Sequence, residues 1–160
     1  MLRVSLGLLP VAVLVLSGCA PVVALEPAKY AASPDCAAVS VRLPQSIDDL
    51  AKRETNAQAT AAWGQPSAVL LRCGLEPAVL SNDVCLETED LDVSWLVDDS
   101  QAPTYRFTSY GRTPAVEVII DNTVVSGSTA LGAVDRAVAQ LPLDGHRCVD
   151  PGDAVIVPEQ

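Results

Sequence analysis

Histidine, phenylalanine and methionine occur once each, aromatic residues make up 4% of the 160, and basic side chains number 10 against 20 acidic ones. Each shortage excludes a class of function. With His146 as the sole imidazole there is no multi-histidine metal centre, and without a CxxC spacing there is neither a zinc ribbon nor a thioredoxin-type redox site; no metal and no cofactor is expected. No GxSxG, GxGxxG or Walker loop occurs, which argues against a hydrolase nucleophile elbow and against nucleotide chemistry. The formal charge of −10 repels nucleic acid and anionic headgroups, so no nucleic-acid partner is expected. Long apolar runs are missing too: Val4 to Leu16, interrupted by Pro10, falls well short of the about 20 residues that a membrane-spanning helix needs.

What that run does offer is an export signal. Arg3 leads it, and Leu16-Ser17-Gly18-Cys19 closes it with two small residues and a thiol. These four residues resemble the bacterial lipobox, in which the signal is cut before the cysteine and the thiol carries diacylglycerol. The resemblance implies a cleaved lipoprotein signal peptide over 1–18 and an acylated Cys19. One acyl chain binds a bilayer marginally and two hold it stably, so Cys19 alone is a sufficient anchor to the cell membrane, facing the extracytoplasmic side. Residues 19–35, with Pro21, Pro27 and Pro34, read as a tether. Extended at about 3.1 Å per residue, such a segment holds a domain up to about 50 Å from the surface. Residues 36–160 are then expected to form a single domain, since their length suits one core.

Export agrees with the remaining cysteines. Cys36, Cys73, Cys85 and Cys148 are an even number for an oxidising compartment, and four cysteines allow three pairings. The expected pairs are Cys73 with Cys85, on neighbouring strands joined by a turn-rich loop, and Cys36 with Cys148, tying the start of the domain to its end.

Hydrophobic periodicity predicts a helix over Ile47 to Ala62 with Ser46 as N-cap, stopped by Trp63-Gly64-Gln65-Pro66. Strands follow over 68–73, 84–88, 93–97, 104–110 and 115–120, rich in β-branched and aromatic residues and separated by Gly, Pro, Asn and Asp. A second helix is expected from Thr129 to Leu141, capped by Ser128 and ended by Pro142, and the pieces Arg147 to Val149 and Ala154 to Val157 could add an edge strand. The pattern is α+β: an antiparallel sheet of about five strands with two helices packed on one face, stapled by two disulfides.

Few residues stand out for chemistry. Gly111 permits a tight turn between strands, placing Tyr110 and Arg112 near a loop tip where a guanidinium and a ring can hold a carboxylate or phosphate; they are the candidate ligand contacts. The competing reading pairs Arg112 with Glu117 or another acid and packs Tyr110 in the core. His146, in Asp144-Gly145-His146-Arg147, reads as an exposed loop residue rather than a base, and no catalytic residue is assigned. The acidic run Glu87, Glu89, Asp90, Asp92, Asp98 and Asp99 does not match a calcium loop and reads as a charged turn and sheet edge. Trp63 and Trp95 read as core anchors.

Trp63-Gly64-Gln65-Pro66, Val69 to Gly74, Cys85, Val93 to Val97 and Phe107 to Val118, taken in order, resemble the domain-of-unknown-function family 3515. The resemblance implies a small actinobacterial envelope protein, exported and membrane-associated, with no assigned reaction. Three classes of function follow. The leading expectation is a noncatalytic lipoprotein that acts through an envelope protein partner. The second is a binding module for a small ligand or cell-wall fragment, and the third an envelope hydrolase, which requires His146 or paired carboxylates to meet in a cleft. The pattern carries no sign of oligomeric state.

Overall fold

Runs rich in β-branched, aliphatic and aromatic residues, Val69 to Leu75, Thr104 to Tyr110 and Ala115 to Asp121, build the three longest strands of a single antiparallel sheet. A computed structural model describes residues 21–79 and 83–148. In chain order the elements are α1 (Pro34–Ser40), β1 (Ser46–Ile47), β2 (Leu50–Arg53), β3 (Thr60–Trp63), β4 (Val69–Leu75), β5 (Val84–Leu86), β6 (Ser94–Asp98), β7 (Thr104–Tyr110), β8 (Ala115–Asp121) and α2 (Gly127–Val138). The strand order β1-β2-β3-β4-β8-β7-β6-β5 is that of two meanders, β1 to β4 and β5 to β8, joined where β4 pairs with β8.

The expected five-stranded α+β sheet is thus corrected to an eight-stranded, mostly-β fold with two short helices. The added strands come from the segment predicted as a helix over Ile47 to Ala62. Asp48 adopts a positive φ of 50°, which no helix tolerates, and turns the chain tightly so that Ile47 pairs with Leu50. Lys52 and Arg53 then pair with Trp63 and Ala62, and β3 continues onto β4. Trp63 supplies the tertiary reason: it is fully buried, and its indole N–H donates to the Pro44 carbonyl at 3.1 Å, so β3 is held in the sheet against its alanine-rich helical propensity.

Helix α1 opens in the last two residues of the expected tether, Pro34 and Asp35. Ser33 caps it by accepting from the Asp35 N–H, Pro34 opens it, and Cys36 and Val39 are buried beneath it. The residues before it also lie on the domain instead of standing off it. The Val23 N–H donates to the Glu54 carbonyl at 2.9 Å, Leu25 N–H to Asn56 Oδ1 at 2.7 Å, and Arg53 Nη2 to the Pro21 carbonyl at 2.6 Å. Further along, the Tyr30 N–H reaches the Gly74 carbonyl at 2.8 Å. Gly74 has φ +109°, and a Cβ there would stand 2.4 Å from the Ala31 nitrogen, so only glycine admits this close crossing.

Helix α2 begins earlier than predicted. Ser126, not Ser128, caps it by accepting from the Thr129 N–H, and it ends at Val138. Its buried face, Ala130, Leu131, Val134, Ala137 and Val138, meets α1 and one side of the sheet. That side carries Leu71 and Cys73 of β4, Trp95 of β6, Phe107 of β7, and Val116, Val118 and Ile120 of β8. Burying a side chain of this size contributes about 1.5–3 kcal/mol, and this layer is the core. Arg147 and Cys148 form no strand, while Ala154 to Val157 lie outside the described residues.

Candidate functional site

Because side chains alternate along a strand, the residues between the core positions of β4, β7 and β8 face away from both helices. At the centre of that outer face the pattern places three charges. Glu117 on β8 is the register partner of Arg72 on β4 and of Thr108 on β7, and Arg106 lies two residues from Thr108 on the same face. Glu117 is 3% exposed, and its side chain is held from both flanks. Arg72 donates through Nε at 3.0 Å and approaches through Nη2 at 2.9 Å, both toward Oε1, while Arg106 donates through Nη1 to Oε2. Both arginines keep part of their surface in solvent, 31% and 39% of the side chain. On the far side of Arg106, Asp98 Oδ2 stands 4.0 Å from Nε. The hydroxyl and backbone N–H of Ser100 hold Asp98 below the ordinary carboxyl range, with Arg106 adding a smaller pull in the same direction.

The triad floors a cavity of about 590 Å³, a size within the range of small-ligand sites. Leu70 and Ile119 flank the charges, and the N-terminal residues Ala24, Leu25 and Glu26, with Asn56, complete the lining. The docked segment before α1 is therefore a wall of the cavity. Among the described residues no serine, threonine, cysteine or histidine lines it, and Glu117 has both oxygens engaged by the arginines.

The residues singled out from the sequence lie elsewhere. Arg112 donates from Nη1 to the carbonyls of Ala139 and Leu141, at 3.0 and 2.9 Å, and from Nη2 to that of Asp92 at 2.9 Å. It closes the C-terminal end of α2 and pairs with neither Glu117 nor another carboxylate. Tyr110 is half-buried, its ring 5.9 Å from that of His146. His146 is also half-buried: its Nδ1 lies 2.9 Å from Asp144 Oδ1, and its backbone N–H donates to the same oxygen at 2.9 Å. Within the acidic run, Glu87, Glu89, Asp90, Asp92 and Asp99 are exposed. Cys19 lies outside the described residues.

All four remaining cysteines are bonded, but the expected pairing is reversed: Cys36 joins Cys73, and Cys85 joins Cys148. The cause is topological. β4 and β5 are not neighbours; β8, β7 and β6 lie between them. At about 4.8 Å per strand step, that separation far exceeds the reach of a disulfide. Cys73 points instead into the core toward α1, where Cys36 is buried.

The triad itself was missed because Arg72 and Glu117 are lone charges inside apolar strands and Arg106 lies on the polar side of an alternating one. The available signal was charges of opposite sign within three strands. A family model described as protein of unknown function (DUF3515) matches residues 3–144. The chain belongs to the DUF3515 family. No curated protein and no solved structure matches it. Among the described residues of this family member, no helix is long and apolar enough to cross a membrane.

Proposed function

We propose that the protein is an exported, membrane-anchored, noncatalytic binding module of the cell envelope, and that the cavity over Arg72, Glu117 and Arg106 is its binding site. The cavity carries this reading: a pocket of ligand size lies on the face opposite the helices, with a charged floor already paired and fixed. The lipobox-like Leu16-Ser17-Gly18-Cys19 supports the anchor, and two disulfides suit an oxidising compartment outside the cytoplasm. Binding of a small ligand gains over a purely protein-directed role because the space over the triad has the volume of a small-ligand site and is walled by Ala24, Leu25 and Asn56.

Anchoring is tested by Cys19→Ala, which abolishes acylation and membrane retention; unchanged partition refutes the anchor. The site is tested by placing a photoreactive residue at Leu70 or Ile119 in the native envelope, with Val41 on α1's exposed end as control. The same small-molecule adduct at both cavity positions and not at Val41 is expected. Equal labelling at Val41, or no adduct at either cavity position, overturns the site.

A further inference from the structure

We propose that the cavity takes a singly charged oxyanion, a carboxylate or a phosphodiester, carried on an apolar body; this rests on the cavity being the binding site. Glu117 is buried and both its oxygens accept from guanidinium donors, so it neither coordinates a cation nor removes a proton. What it does is hold two planar forks side by side. A guanidinium has five N–H donors. Among the described residues Arg72 bonds to Glu117 alone, and Arg106 bonds to Glu117 with Asp98 at 4.0 Å. Nη1 of Arg72 and Nη2 of Arg106 thus make no hydrogen bond to a described residue and face the cavity floor.

At the centre of that floor two guanidinium groups flank one carboxylate, while the other nearby acids stand outside it, Asp98 4.0 Å from the outer side of Arg106 and Glu26 at the rim. An anion is drawn there by the guanidinium donors that face the cavity and not by a net positive charge. Glu26, exposed at the rim, weakens the attraction for a second negative charge, which favours a monoanion over a dianion. The apolar body has its own surface: Leu25, Leu70 and Ile119 are half-buried cavity walls.

Ala24 follows Cys19 by five residues. Chain spans at most about 3.6 Å per residue, so with Cys19 acylated this wall lies within about 18 Å of the attachment point. A phospholipid headgroup is therefore one source of the oxyanion and a soluble amphiphile the other.

The test uses the full acylated chain, labelled with nitrogen-15 arginine, in uncharged alkyl-maltoside micelles, which hold no phosphate or carboxylate. Arg72→Lys and Arg106→Lys assign the Nε resonances. Hexanoate and hexyl methyl phosphate should shift both resonances saturably, whereas hexanol and hexyltrimethylammonium should not. Arg106→Gln should weaken hexanoate at least about tenfold, as loss of a hydrogen bond to a charged group does. Leu70→Glu, which leaves the triad untouched and places a carboxylate in the cavity, should abolish binding. The same micelles doped with phosphatidylglycerol show the shifted resonances without added probe if the headgroup is the source, and unshifted ones if it is a soluble amphiphile. Binding of hexanol or hexyltrimethylammonium with the arginine resonances unmoved overturns the oxyanion while the cavity reading stands. So does the absence of any probe binding alongside adducts at Leu70 and Ile119; absence of both overturns the two together.

Discussion

Glu117→Gln is the sharpest perturbation of the outer face. The amide keeps the volume of the carboxylate but loses its charge, and its NH2 cannot accept from the second guanidinium, so two cations are left converging on a neutral group. Removing one partner of a buried ion pair costs about 3–5 kcal/mol. Here the arginines keep 31% and 39% of their side-chain surface in water, which screens their repulsion. A loss of about 2–3 kcal/mol follows from that discount. With a urea slope of about 2 kcal/mol per molar, the unfolding midpoint falls by about 1–1.5 M. The assay is urea unfolding of the oxidised protein followed by tryptophan fluorescence, since Trp63 and Trp95 are fully buried. The triple variant Arg72→Met, Arg106→Leu, Glu117→Leu separates charge from packing. It should return to within about 1 kcal/mol of the wild type, because removing all the charges leaves none uncompensated. A loss below about 0.5 kcal/mol in Glu117→Gln would refute the reasoning, because the triad would then behave as a solvated surface pair.

Arg112→Lys should lower stability by about 1–2 kcal/mol, because one ammonium cannot reach the three carbonyls that the guanidinium serves; a thermal midpoint drop of about 3–8 °C checks it, and oxyanion binding at the cavity should be unchanged. Peptide mapping without reduction should recover Cys36 linked to Cys73 and Cys85 linked to Cys148. Loops of 37 and 63 residues predict that losing either bond costs about 4 kcal/mol on the chain-entropy model. For Asp144, burial acts to raise the carboxyl, but the backbone N–H and ring of His146, helped by the Thr113 hydroxyl, hold it below its ordinary value. Its contribution is therefore present above the unfolded value of about 3.9 and is lost as the pH falls through the lower folded value. Asp144→Asn should flatten that part of the acid-unfolding curve and leave the alkaline limb alone.

The parts of the fold that periodicity marks were legible: β7 matches its predicted span, and β4, β6, β8 and α2 lie within a few residues of theirs. Their signals are local, since a strand or helix with one buried face writes its period into its own residues. The first meander was not legible. Its Ala- and Asp-rich stretch favours a helix locally, and only the anchoring of Trp63 and the pairing of β3 with β4 override that preference. Helix α1 is seven residues long and too short to show a period. The disulfide pairing and the triad share one cause of failure. Both depend on β4 lying beside β8 and not beside β5, a pairing across 45 residues between Arg72 and Glu117 that no local pattern announces.

The two disulfides close consecutive rings that do not interlace, residues 36–73 and 85–148. A chain exported N-terminus first presents these cysteines to an oxidant in the order Cys36, Cys73, Cys85, Cys148. Oxidation in that order would give the native pairs directly, without shuffling of mispaired bonds. The same arrangement leaves the stretch between the rings, which carries the chain from the middle of the sheet to its edge, as the place where a single backbone cut yields two covalently separate halves. A cut inside either ring leaves its pieces joined by sulfur. The halves released by a cut between the rings would find each other again, among the described residues, through the β4–β8 seam, the packing of α2 on α1 and β1, and the Arg72–Glu117 pair.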